Sequence, residues 1–373
     1  VLVDLEKTVS DDGYVLGDGF MGKIRAMNPN PNMLREVRET PEVVARLLER
    51  NRDAAKKLAQ AIRERQPAFA LTVARGSSDH ASSFLKYALE TQLGLPTASA
   101  TPSVVTIYNA QLKLERALVI AISQSGQSPD VVGVLEAARA AGALTVAIVN
   151  TSGSPLEAAA EFVLPMHAGP ELAVAATKSF VASLVAPLEV IAALTSDTSL
   201  RNALEGLPVK LERALKCEDI ARERAERYRY AEAMVTLARG THFPLALEMA
   251  LKLKETCRLH AEAFSAAEFA HGPIILAGEG LPILAFQSRD AAAEGTLQLF
   301  NDLVARGAEL VLVGDTSVNI AAPVRLETPA TGHFLTDPVA AVLAGYVFAG
   351  HLSLARGFDP DAPRSLSKVT KTL

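Results

Sequence analysis

Apolar positions along the chain gather into short unbroken runs, and the stretches between them have helical spacing. The clearest run, Ala117–Ile122 (ALVIAI), has no polar face, as expected of a parallel strand covered by helices on both sides. It leads into SQSGQSPD, which places the loop Ser123–Asp130 at the C-terminal edge of a sheet. Ser128 and Pro129 read as the N-cap and first residue of the next helix. Nearer the start, PNMLREVRETPEVVARLLER predicts ordered helix from about Met33, with Thr40 as a cap and Pro41 as a first helical residue.

The pattern occurs twice. LTVARGSS (Leu71–Ser78) resembles VTLARGTH (Val235–His242), and Arg75 and Arg239 are 164 residues apart (239 − 75). VIAIS and ILAFQ keep that spacing through Ala121 and Ala285 (285 − 121 = 164), and ARAAGALTVAIVN pairs with VARGAELVLVGD at 165 residues (Gly142 and Gly307). Each copy closes on a short strand, FVLP or VRLE. Strands alternating with helices in both copies predict two doubly wound α/β domains with mainly parallel sheets. The expected division is an N-terminal tail over 1–32, a first domain over 33–200, a second over 201–358 and a C-terminal tail over 359–373, with a linker around Thr195–Pro208. Where the first copy has SQSGQS the second has QSRDAA, and the second alone carries ALEMALKLKE and HAEAFSAAEFAHGP. Binding and chemistry are therefore expected to be divided between the copies.

Composition narrows the partners. With 37 Lys+Arg against 42 Asp+Glu and a net charge of −5, no field favours nucleic acid or an anionic membrane. Cys217 and Cys257 lie in helical contexts and read as reduced thiols of a cytoplasmic protein. Neither a run of about 18 apolar residues nor a signal-peptide core is evident. Gly17, Gly19 and Gly22 spell G-x-G-x-x-G but lack a preceding strand and following helix, so a flexible tail is expected there. There is no Walker motif and no G-x-S-x-G elbow, and His260, Glu262 and His271 do not fit H-E-x-x-H; no cofactor or metal is expected.

The loop Ser123–Ser128 could by itself be a simple turn with a cap. A second loop, Arg75–Ser83 (RGSSDHASS), follows another buried strand and brings Gly76, Ser77 and Ser78 to the same sheet edge. Two hydroxyl-rich loops and a helix N-terminus suit a phosphate monoester. In the second copy, Glu248, Lys252 and Glu255 share one helix face, either as a solvated stripe of salt bridges or as a carboxylate base beside an ammonium group. His271, before Pro273, is either a turn residue or a proton shuttle.

In SQSGQSPD, VAATKSF, ARGTHFPLALEMALKLKE, HAEAFSAAEFAHGP and DAPRSLSK, in that order, the chain resembles the sugar isomerase (SIS) family from about Met33 onward. It is most similar to the isomerase half of glucosamine-6-phosphate synthases and to the family's free-standing deaminases. The resemblance implies two tandem flavodoxin-like domains and a phosphosugar site made of Gly76, Ser77, Ser78, Ser123, Gln124, Ser125, Gly126 and Ser128, with the backbone near Val174 touching the sugar. It implies Glu255 as the base between C1 and C2, Lys252 beside it, His271 in ring opening as a donation from the partner in a homodimer, and Lys368 as a Schiff-base amine. From position alone Lys368 would be a solvated terminal lysine. With only about 32 residues ahead of the resemblance and no cysteine before Cys217, glutamine is not expected as the nitrogen source. The favoured expectation is conversion of glucosamine 6-phosphate and water to fructose 6-phosphate and ammonia. Alternatives are a synthase-like aminotransferase, a fructosamine-phosphate deglycase and a non-catalytic sugar-phosphate sensor.

Overall fold

The computed structural model describes residues 28, 30–278, 280–315 and 317–368. The G-x-G-x-x-G stretch and most of the expected N-terminal tail lie outside them. Five strands, β1 (Phe69–Val73), β2 (Thr97–Ser99), β3 (Ala117–Ser123), β4 (Leu144–Val149) and β5 (Phe162–Pro165), form a sheet in the order β2-β1-β3-β4-β5. A second sheet is built from β6 (Ala233–Ala238), β7 (His260–Ser265), β8 (Pro282–Phe286), β9 (Glu309–Gly314) and β10 (Val324–Glu327), in the order β10-β9-β8-β6-β7. Every pairing is parallel. Renumbered within each copy, both sheets have the flavodoxin order 2-1-3-4-5. β3 is buried at every position, as its lack of a polar face requires.

The domains share one core, in which side chains from both sheets pack with the helices Thr40–Arg65, Lys178–Thr195 and Asp337–Ala355. The last two are long and apolar enough to cross a membrane, although no such run stood out in the sequence. Both are mostly buried within the fold, where a core helix is apolar on every side.

Two local expectations are corrected. Glu39 takes the N-cap position of helix Thr40–Arg65, and the Thr40 hydroxyl donates back to the Glu36 carbonyl at 3.3 Å. Most of the expected linker is helix Thr198–Ala214, with Pro208 inside it. Asp197 caps that helix by accepting the Leu200 N–H at 3.0 Å, and Leu200, Leu204, Leu207 and Leu211 bury its apolar face, a helical period that outweighs one proline.

The C-terminal segment closes back onto the start of the fold. The Asp361 carboxylate accepts the N–H groups of Asn32 (2.6 Å) and Met33 (2.7 Å), capping helix Asn32–Arg38 from across the chain. Removing such a cap costs about 0.5–2 kcal/mol. Asp361→Ala is expected to lower the unfolding free energy by that amount and to speed proteolysis of the C-terminal segment; denaturant titration and limited digestion check it.

Candidate active site

The serine loop after β3 is held by its own hydroxyls. Ser123 Oγ accepts the Gly126 N–H at 3.0 Å and Ser125 Oγ accepts the Gln127 N–H at 3.3 Å, which leaves both hydroxyl protons to donate to a ligand. Gly126 has φ +65°, and a Cβ there would lie 2.3 Å from Ser154 Oγ, so only glycine fits the turn. The Gln124 carbonyl is tied to the Asn150 N–H. Ser128 occupies the N-cap position of helix Pro129–Ala140 as expected, but its hydroxyl makes no capping bond. Opposite, Gly76 (φ +56°) precedes helix Ser77–Leu93 and faces open space, while Arg75 pairs with the buried Asp130 at 2.7 Å and ties the two loops together.

In the second copy the equivalent edge is closed. The Thr241 hydroxyl donates to Asp290 Oδ2 at 3.3 Å, and a Cβ on Gly240 would meet that same oxygen at 3.5 Å. The arginine and aspartate of QSRDAA thus leave the open hydroxyl cradle to the first copy.

Helix Phe243–Cys257 of the second domain packs on helix Ser77–Leu93 of the first and presents Glu248, Lys252 and Glu255 as a ladder. Lys252 Nζ lies 2.6 Å from Glu255 and 3.5 Å from Glu248. The solvated-stripe alternative fails on burial: the side chains of Glu248 and Lys252 are 0% and 1% exposed, and only Glu255, at 24%, reaches open space. Burial pushes the Lys252 ammonium toward losing its proton, but Glu248 and Glu255 outweigh it and hold its pKa above the usual value. Glu248 also accepts the hydroxyls of Ser77 and Tyr346, each at 3.0 Å, and lies 2.9 Å from His80 Nδ1. The hydroxyl of Ser77, expected at the phosphate, is thus engaged with the ladder.

Lys368 donates to Glu171 at 2.9 Å and to the Ala173 carbonyl at 2.7 Å, so it is not a solvated terminal lysine. Glu171 is buried, yet Lys368, the Thr177 N–H and the Ser179 hydroxyl draw its pKa below the usual carboxylate range. Its charge also acts on Lys252. The Val174 N–H is taken by the Asp361 carbonyl at 3.1 Å, which leaves the rest of that backbone for a sugar. His271 is exposed at the end of helix Ala266–Ala270 and makes no hydrogen bond or ion pair with the ladder or Lys368 among the described residues. No group of metal-ligating side chains occurs among the described residues.

His80, Glu171 and Tyr346 escaped the sequence reading. Tyr346 sits in a uniformly apolar helix and reads as core, and His80 lies beside the serines without a pattern of its own. A buried acid inside the apolar segment around Glu171 was the one available signal.

The architecture is a tandem of flavodoxin-like α/β domains with one open hydroxyl cradle and one buried Lys–Glu ladder. Residues 68–193 and 228–350 match the SIS domain family model, and the chain belongs to that family. It is 35% identical to the glutamine–fructose-6-phosphate aminotransferase (isomerizing) of Methanothermobacter thermautotrophicus over 79% of this chain and 50% of the relative. The chain spans about half the length of the curated relatives it matches. A structure from Silicibacter pomeroyi with the provisional name phosphosugar isomerase is 42% identical, with a TM-score of 0.82, over 89% of this chain and 100% of that one. A C-terminal domain of glucosamine-fructose-6-phosphate aminotransferase from Francisella tularensis is 28% identical, with a TM-score of 0.81, over 95% of this chain and 100% of that one.

Ser123→Ala removes a hydroxyl donor facing the open cradle. A hydrogen bond to a charged group is worth about 1.5–3 kcal/mol, so affinity for a sugar phosphate should fall roughly 10- to 150-fold. Titration calorimetry checks this; equal affinity for phosphorylated and unphosphorylated sugar would show that the loops are not a phosphate site.

Proposed function

We propose that the chain is a phosphosugar isomerase that acts on a hexosamine 6-phosphate, converting glucosamine 6-phosphate and water to fructose 6-phosphate and ammonia. The observation that carries this reading is the buried ammonium of Lys252 held between two carboxylates, of which Glu248 also accepts the Ser77 hydroxyl from the cradle loop and Glu255 is partly open to solvent. The resemblance to isomerizing aminotransferases and to a phosphosugar isomerase supports the same chemistry. A Thermotoga maritima glucosamine-6-phosphate deaminase, at 21% identity and a TM-score of 0.74, shares the fold.

In this reading the serine loops hold the phosphate and Glu255 takes the proton from C2 of the open-chain aldose amine. The electron pair moves into the C1–C2 bond, and Lys252 stabilises negative charge developing on the C1 oxygen. Return of the proton to C1, with an amine proton passing to the C1 oxygen, gives the C2 imine of the ketose; water adds at C2 and ammonia leaves. Glu248, fixed by its partners, positions Lys252. His271 is exposed and makes no bond with the ladder among the described residues, which favours a homodimer in which a second copy supplies it for ring opening.

Purified protein incubated with glucosamine 6-phosphate is expected to release ammonia and fructose 6-phosphate in equal amounts. Glu255→Gln should lower turnover by about 10²–10⁴ with little change in binding. Glu255→Gln and His271→Ala proteins, each inactive alone, should regain about a quarter of the wild-type activity when mixed and allowed to exchange subunits, because half the dimers then hold one intact shared site. No regain would place His271 in its own chain's site or outside the chemistry. A wild type that binds the sugar but turns over no faster than Glu255→Gln would favour a sensor.

Borohydride with fructose 6-phosphate should trap an adduct on Lys368 and none on Lys252. Lys252, its pKa raised by Glu248 and Glu255, keeps its proton at neutral pH and is not nucleophilic. Peptide mass spectrometry identifies the modified residue, and an adduct on Lys252 would reverse the two roles.

A further inference from the structure

Helices Thr40–Arg65, Lys178–Thr195 and Thr198–Ala214 enclose a cavity of about 350 Å³ whose lining includes Arg52, Lys56, Glu189, Arg201 and Glu205. None of these residues belongs to the candidate active site. Glu189 lies ten residues along its helix from Ser179, the partner of Glu171, or about 15 Å at the helical rise. Arg52 and Lys56 project from one face of their helix one turn apart, and Arg201 comes from the first turn of another. All three are exposed, and none has a carboxylate within ion-pair distance among the described residues. Glu189 also lines the cavity, and its Oε2 is buried with no hydrogen-bond partner among the described residues. Burial pushes the Glu189 carboxyl up to about 7, with Arg52 opposing only in part.

No direct ion pair joins these groups among the described residues, although Glu205 also lines the opening and the Arg52 charge acts on Glu189. An unpartnered buried carboxyl oxygen is costly unless a donor reaches it. Arg52, Lys56 and Arg201, without ion pairs among the described residues, outnumber Glu205 around the opening and attract an anion with several acceptor oxygens. The volume lies in the range of small-ligand sites. Ala55, Ala192 and Leu204 give the wall an apolar surface suited to a short carbon skeleton.

We propose that this cavity is a second ligand site, for a small phosphorylated amine whose phosphate meets Arg52, Lys56 and Arg201 and whose ammonium meets Glu189. Amino-sugar phosphates are one such class, but the site does not depend on the proposed reaction.

The test uses O-phosphoethanolamine, which cannot undergo the isomerisation, titrated calorimetrically into the full chain. Saturable binding is expected in the wild type and in Ser123→Ala. A roughly 10- to 100-fold loss is expected in Arg52→Ala/Arg201→Ala, whose thermal unfolding and activity toward glucosamine 6-phosphate should match the wild type. Glu189→Gln should weaken O-phosphoethanolamine while leaving inorganic phosphate unchanged. Absence of binding, or equal binding in wild type and Arg52→Ala/Arg201→Ala, overturns the proposal. Binding lost in Ser123→Ala but kept in Arg52→Ala/Arg201→Ala also overturns it, by assigning the probe to the serine loops, and leaves the proposed reaction untouched. Equal binding of O-phosphoethanolamine in wild type and Glu189→Gln would remove the amine half and with it the stated ligand class.

Discussion

A fully buried carboxylate, that of Glu248, joins the two domains where the candidate chemistry lies. It takes hydrogen bonds from Ser77 and Tyr346, faces His80, and sits 3.5 Å from the Lys252 ammonium. An ionised group in such a place is tolerable only when its lone pairs are satisfied and a countercharge is close. Removing one partner of a buried pair typically costs about 3–5 kcal/mol, a large share of any domain's stability. The same requirement fixes the relative placement of helix Ser77–Leu93 and helix Phe243–Cys257, and so the distance between cradle and ladder. Stability and chemistry here draw on one network.

The two copies of the fold differ at their sheet edges. Both copies present a helix start and two loops at the C-terminal edge of a five-stranded parallel sheet. In the first, Arg75 and Asp130 tie the loops together and Ser123 and Ser125 brace the Gly126 turn; in the second, Asp290 and Thr241 bridge them. Helix Phe243–Cys257 of the second domain meets the first domain through Glu248, which bonds Ser77 and faces His80.

Buried acids also order the loop beside the site. Glu36 accepts the N–H groups of Leu172 and Ala173, and Glu171 accepts from Thr177, Ser179 and Lys368. Backbone donors without strand or helix partners are satisfied by carboxylates, which leaves a short irregular segment rigid. Lys368 joins the same group, so the C-terminal segment is docked by charge as well as by the Asp361 cap. The two cysteines take no part: both are buried, and burial pushes their thiols up to about 12.

What the sequence determined by itself was everything carried by periodicity and local chemistry. Runs such as ALVIAI gave parallel strands, and the 164-residue recurrence gave two domains, because covered strands need unbroken apolar runs and a duplicated fold repeats them. The Gly126 turn and the common face of Glu248, Lys252 and Glu255 were equally legible, since turn geometry and the helical period act over a few residues. Long-range pairing was not. The bond of Ser77 to Glu248 spans 171 residues, that of Tyr346 to Glu248 spans 98, and that of Lys368 to Glu171 spans 197. Whether the ladder is a solvated stripe or a buried charge cluster depends on what packs over it, and that cover comes from helix Ser77–Leu93 of the first domain and the distant helix Asp337–Ala355 of its own. Periodicity reports which face of a helix is polar; only tertiary packing decides whether water or another side chain meets it.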